Sequence, residues 1–161
     1  YNPIFFSYPF GEYSLDQKNF IKDNFDFAFG QHSGVIDINK DKFELPRFPI
    51  NEKYGDLERF NFLSKLLPLQ YQFVEPEEKM IKDTNNPPKV EINFFEEQKN
   101  IKNINCFSNE GGNWKDAKLK FDNNKLYINL NEKFKPRRGR INCSLNDKKG
   151  WRWFGIQFTL N

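Results

Sequence analysis

The stretch "RINCSLNDKKGWRWFGIQFTL", Arg140–Leu160, decides how the chain is read. "RINCSL" (Arg140–Leu145) and "WRWFGIQFTL" (Trp151–Leu160) are rich in β-branched and aromatic residues, and polar turn residues lie between them. Two more strands stand upstream, "AKLKFD" (Ala117–Asp122) and "KLYINL" (Lys125–Leu130). Only Asn123 and Asn124 separate them, a two-residue hairpin turn, because Asn tolerates positive φ. "IKNINCFS" (Ile101–Ser108) and "KVEINFF" (Lys89–Phe95) continue the pattern, and "EGGN" (Glu110–Asn113) reads as a turn. Short strands with turn residues between them predict a β-sandwich over 89–161.

Before that, the texture changes. "EPEEKMIKDTNNPPK" (Glu75–Lys89) is polar, charged and Pro-rich, so residues 71–88 read as a linker or long surface loop. Residues 1–70 alternate strand and helix. "PIFFSYP" (Pro3–Pro9) and "FDFAFG" (Phe25–Gly30) are strand-like. "SLDQKNFIKDNF" (Ser14–Phe25) is a predicted helix capped by Ser14, with Leu15, Phe20, Ile21 and Phe25 near helical spacing. "FELPRFPI" (Phe43–Ile50) must be extended around its two prolines. "YGDLERFNFLSKLLP" (Tyr54–Pro68) is a second predicted helix, with Asp56 at its start and Pro68 at its stop. The whole chain therefore reads as α/β followed by all-β. The apolar strand Pro3–Pro9 would leave an open edge on its own, so strands from an upstream segment are expected to pair with it.

Composition narrows the function classes. The net charge is +3, from 25 basic and 22 acidic residues, which is too balanced for a nucleic-acid partner. "KPRRGR" (Lys135–Arg140) is the densest basic run and reads as a solvated turn between strands. No run approaches the roughly 20 apolar residues of a membrane span. The 19 Phe exceed what a core of this size needs, so some are expected on an interface. Cys106 and Cys143 each sit in a strand-like segment and lack a CxxC or a nearby His. One disulfide is expected, implying export, against two reduced thiols in a cytoplasmic protein.

Chemistry-bearing residues are few. His32, the one histidine, follows a strand in "FGQHSG" and is flanked by Gly30 and Gly34, a position where sheets deliver side chains into pockets. The alternative is a loop histidine bonded to backbone. A mononuclear zinc site needs at least three protein ligands, and no HxxxH or HExxH pattern is present. Trp151 and Trp153 share one strand face and, with Trp114, offer either a sugar platform or core packing.

Three further segments, "FFSYPFGEYS", "AFGQHSG" and "LPRFPINEKYGDLERF", resemble in order and distance the C-terminal third of polysaccharide deacetylases of carbohydrate esterase family four. "RINCSLNDKKGWRWFGIQF" resembles a β tail found on one bacterial branch of that family. The resemblance implies a C-terminal segment of a (β/α) barrel over 1–70, with an accessory β domain after it. It also implies a divalent metal, usually zinc, held by one Asp and two His upstream of this chain. A second Asp would activate water, and an acid would protonate the departing amine of an N-acetylated sugar. On this resemblance Tyr8, Pro9, Phe10 and Gly11 shape a wall of the substrate groove. His32 lies near the position of the family's acid histidine, without the usual Leu-x-His pattern. Arg47, between rigid prolines, holds a catalytic carboxylate or a sugar hydroxyl, or else a structural salt bridge. The expected partners are an N-acetylated polysaccharide or oligosaccharide and the upstream part of the same enzyme, in the periplasm or at the cell surface. The alternatives are a non-catalytic carbohydrate-binding module and an envelope assembly module.

Overall fold

The computed structural model describes residues 2–96, 100–135 and 137–160. The chain opens with β1 (Phe5–Ser7), α1 (Leu15–Lys22) and β2 (Phe27–Phe29). β1 and β2 pair in parallel, with Phe5 opposite Phe27 and Ser7 opposite Phe29, so α1 is the crossover of a βαβ unit. Ser14 and Gln17 form a reciprocal capping box: Gln17 N donates to Ser14 Oγ and Ser14 N donates to Gln17 Oε1. The helix buries Lys18 and Ile21, while Phe20 faces solvent. It stops at Lys22, short of Phe25.

One face of the small parallel sheet is covered. Ile21 of α1 packs with Tyr8, Tyr13 and Ala28, and Phe6, Phe25 and Phe43 close the cluster. The other face carries Phe5, Phe27 and Phe29, with ring centroids 5.6 and 6.1 Å from Phe5, and Phe5 is exposed. On its far side β2 meets the segment around Leu45: Leu45 N donates to Ala28 O and Gly30 N to Leu45 O, both 2.9 Å. α2 (Leu57–Leu63) follows, capped by Asp56, which accepts from Arg59 N at 2.8 Å. It buries no residue, and Leu57 and Phe60 lie open. The sequence extends this helix to Pro68; instead β3 (Leu67–Pro68) pairs in parallel with the last strand. Tertiary pairing overrides propensity at its C-terminal end.

The remainder is β. β4 (Phe73–Glu75), β5 (Met80–Ile81), β6 (Val90–Asn93), β7 (Asn105–Ser108), β8 (Lys115–Asp116), β9 (Lys118–Asp122), β10 (Lys125–Asn129), β11 (Arg138–Asp147) and β12 (Gly150–Leu160) form two open sheets. One has the order β4-β6-β10-β9; the other runs β3-β12-β11-β7-β8, with β5 also on β12. The predicted hairpin joins β9 to β10, and Asn123 has φ 53°. Ile92, Leu126 and Ile128 of the first sheet share a core with Ile141, Cys143 and Phe158 of the second. Cys106 and Cys143 face one another across β7 and β11 and are joined in a disulfide.

Three sequence readings change here. The fold class, α/β with a partial (β/α) barrel and then a β-sandwich, is corrected. The chain is mostly β, with two α-helices and open sheets among the described residues, and no (β/α) barrel is evident. Strand–helix alternation in residues 1–70 yields one βαβ unit, an irregular stretch in which the prolines of "LPRFP" leave only an isolated bridge at Leu45, and then the short α2 and β3. Residues 71–88, read as linker or loop, instead contribute β4 and β5 to the two sheets. In "KPRRGR", Pro136 lies outside the described residues. Arg138 and Arg140 belong to β11 rather than to a turn.

β12 unites these parts. From Phe154 to Thr159 it is buried on both faces. Its register with β11 runs unbroken from Asp147–Gly150 to Arg138–Thr159. Its other edge pairs with β3 at one end and β5 at the other.

Candidate functional site

The segments singled out in the sequence meet around β12. Tyr8 is buried, and its hydroxyl donates to Phe43 O at 3.0 Å. Pro9–Gly11 makes a short 3-10 turn in which Phe10 and Gly11 have φ of 58° and 70°. A Cβ on Gly11 would sit 2.5 Å from Gln31 N, so this turn approaches the His32 loop too closely for any other residue. Gln157 Nε2 of β12 donates to the carbonyls of Phe10 (3.3 Å) and Gly11 (3.1 Å). The His32 loop is held in turn. Arg47 N donates to His32 O at 3.0 Å, and Gly155 of β12 lies so near Ser33 O that a Cβ there would be 2.0 Å away. Glu12 pairs with Arg137 and Arg138, whose guanidiniums also lie over the Phe10 ring at 4.5 and 5.5 Å. Against its burial penalty, those two arginines hold the Glu12 carboxyl below the usual glutamate range.

Two cavities flank His32. The first, about 350 Å³, lies along the edge of β12 between its β3 and β5 pairings. Lys18, Asp41, Glu44, Lys79, Tyr71 and Trp153 line it. Lys18 is almost wholly buried and meets three carboxylates: Asp41 at 2.9 Å, Glu44 at 3.2 Å and Glu77 at 3.5 Å. Burial opposes its charge, yet Glu44 and Asp41 hold the ammonium above the ordinary lysine range. Tyr13 donates to Glu44 at 3.1 Å, and its phenol is pushed up by burial and then by that carboxylate. Lys40 donates to Tyr71 O and lies 3.9 Å from the Tyr71 ring centroid.

The second cavity is an open groove of about 490 Å³. His32 and Arg47 both line it, with Tyr54, Trp114 and Arg140. Tyr8, Pro9, Phe10 and Gly11 do not: Tyr8 lies in the core of the βαβ unit, and Phe10 under the two arginines. Trp153 packs edge-on to Phe48, a centroid distance of 6.0 Å, and lines the first cavity; Trp151 is exposed. The groove's Tyr54 and Arg140 escaped the sequence reading, and so did Lys18. An arginine in a strand and a lysine on a helix carry no local signal of the cavity that the tertiary structure places beside them.

Burial pushes the His32 imidazole down to about 4, with the Lys79 charge adding to the shift and Glu44 opposing it. At neutral pH the ring is therefore neutral. It is a hydrogen-bonding group rather than a standing acid. The unfolded chain then binds a proton on His32 more readily than the folded one. Stability is expected to be full above about pH 6.5 and to fall by up to about 3 kcal/mol as the pH drops to about 4. Urea midpoints across that window test this, and His32→Asn should flatten the profile. A wild-type profile already flat there would refute it.

Among the described residues, no three His, Cys, Asp or Glu side chains gather where they could hold a metal ion. The described residues do not fit a metal site. Among them, too, no helix is long and apolar enough to cross a membrane. No family model, curated protein or solved structure matches the chain.

Proposed function

We propose that this chain is the C-terminal portion of a metal-dependent polysaccharide deacetylase that hydrolyses N-acetyl groups of amino-sugar polymers. One observation carries the reading. The four segments that resemble that family converge in space: Gly11 abuts Gln31, Arg47 bonds His32, and Gly155 and Gln157 of β12 close on Ser33 and on Phe10. Three of the four line a groove that contains His32 and Arg47, and the first abuts that groove's Gln31 through Gly11. In this reading neutral His32 and the Arg47 guanidinium hydrogen-bond the sugar, and a divalent metal, zinc by the family resemblance, would be held by residues upstream of this chain. The Phe5, Phe27 and Phe29 face supports a partner within the same enzyme, since parallel sheets are ordinarily covered on both faces. The Cys106–Cys143 disulfide supports export to the periplasm or cell surface.

The test is acetate release from an N-acetylglucosamine oligomer by the complete protein. Acetate and free amine should appear in equal amounts, and a chelator should abolish both. His32→Ala and Arg47→Ala should each lower kcat/KM at least about tenfold, the size of one lost hydrogen bond to a polar ligand, with metal content unchanged. No acetate from metal-loaded protein would sink the reading. A non-catalytic carbohydrate-binding module is the second reading, favoured by the exposed Trp114 and Tyr54 at the groove. It predicts oligosaccharide binding without acetate release.

A further inference from the structure

The groove beside His32 has an unusual charge balance. Arg47 and Arg140 line it, and no Asp or Glu does. Arg137 and Arg138 pair with Glu12, and Arg152 with Asp147, while Arg59 donates to the Tyr54 carbonyl at 3.1 Å. Among the described residues, neither Arg47 nor Arg140 makes an ion pair. Arg140 donates from Nε to the neutral amide of Gln157 at 3.1 Å, which leaves its terminal N–H groups without a carboxylate. Burial, followed by the neighbouring Arg138 charge, lowers its pKa, as uncompensated positive charge requires. Neutral His32 adds no competing charge. Trp114 and Tyr54, both exposed, supply aromatic faces to the same groove.

A planar guanidinium fork matches the paired oxygens of a carboxylate or phosphate, and an aromatic face takes the C–H face of a sugar ring. We infer that this groove binds an anionic saccharide, its carboxylate or phosphate oxygens held by Arg47 and Arg140 and its ring against Trp114 or Tyr54. The inference rests on the proposed glycan-handling role for the sugar half of the ligand; the anionic half rests on the two guanidiniums.

The experiment is calorimetric titration of the complete protein, with tryptophan fluorescence alongside. The probes are a galacturonic acid tetramer, glucose 6-phosphate, the neutral N-acetylglucosamine tetramer and inorganic phosphate. At least one acidic saccharide is expected to bind about tenfold more tightly than the neutral tetramer, and the advantage should shrink with added salt. The stronger of the two acidic probes identifies carboxylate or phosphate as the source of the charge. Arg47→Gln and Arg140→Gln should each weaken that binding about tenfold or more. Arg140→Lys keeps the cation without the fork and should retain part of it; thermal melting checks that each variant is folded. Trp114→Ala should weaken acidic and neutral saccharides alike. If neither acidic saccharide binds more tightly than the neutral tetramer, the inference is overturned, as it is by binding indifferent to Arg47→Gln in folded protein. Inorganic phosphate binding as tightly as glucose 6-phosphate overturns the saccharide half. Acetate release measured on the same preparation separates the two claims. Release without acidic preference refutes only this inference, and acidic preference without release refutes only the deacetylase reading.

Discussion

Replacing Lys18 by methionine is expected to cost about 3–5 kcal/mol of folding stability, the range for breaking a buried ion pair from one side. Methionine retains most of the volume and the unbranched stem, so the loss reports the charge. Lys18, on the buried face of α1, meets Asp41 at 2.9 Å, Glu44 at 3.2 Å and Glu77 at 3.5 Å. Without the ammonium, those carboxylates repel one another, and Asp41 and Glu44 stay partly buried without their main partner. The cluster also joins α1 to the segments around residues 41–44 and 77, so the whole βαβ unit should loosen. The pH dependence gives a second check. Against its burial, Lys18 holds the Asp41 carboxyl below its usual range. A carboxyl depressed in the folded state contributes stability above its unfolded pKa and loses it as pH falls through the folded value. The gap between wild type and Lys18→Met should therefore narrow in acid, below about pH 4, where the carboxylates take up protons. Urea midpoints for both proteins, at neutral and acid pH, decide it. A neutral-pH loss under about 1 kcal/mol would show that solvent already screens the cluster.

Opening the Cys106–Cys143 disulfide should cost about 4 kcal/mol. The two cysteines are 37 positions apart, and the bridge restricts that loop in the unfolded chain. The bond joins directly opposed residues of β7 and β11, and both sulfurs lie in the core between the sheets. Neighbouring Ile141 and Phe158 stay packed whether or not the bond forms, so the native geometry should change little. The measurement compares denaturation of oxidised protein with that of Cys106→Ala/Cys143→Ala. A difference below about 1 kcal/mol would mean that the unfolded chain is already compact over this loop.

The β half was legible because its signals are local. The Asn123–Asn124 turn, the alternation in β9 and β10, and the paired "INC" segments each mark a strand within a few residues. The first seventy residues were harder. α1 reads correctly from Ser14 onward, yet the apolar residues near helical spacing suggested Phe20 as core, whereas the buried positions are Ile21 and a charged Lys18. No periodicity rule assigns a lysine to a core; three acids from distant segments must first arrive. β3 and β5 are two residues each and exist only because β12 offers them an edge. The same holds for the groove: the sequence marks His32 and Arg47, but Arg140 and Tyr54 join them only through the placement of β11 and the loop before α2.

β12 is also the last of the described strands to leave a ribosome. Until it emerges, β11 lacks its long partner, β3 and β5 have no strand to align on, and the Phe10–Gly11 turn lacks the Gln157 amide that fixes it. A nascent chain ending before Gly150 would leave β3, β5 and one edge of β11 without a partner until β12 arrives. Such species are prone to association with their neighbours. Most of the pairing is also long-range, which slows the final search. Yield in a crowded cell should accordingly depend on how briefly the chain waits for β12 as well as on its equilibrium stability.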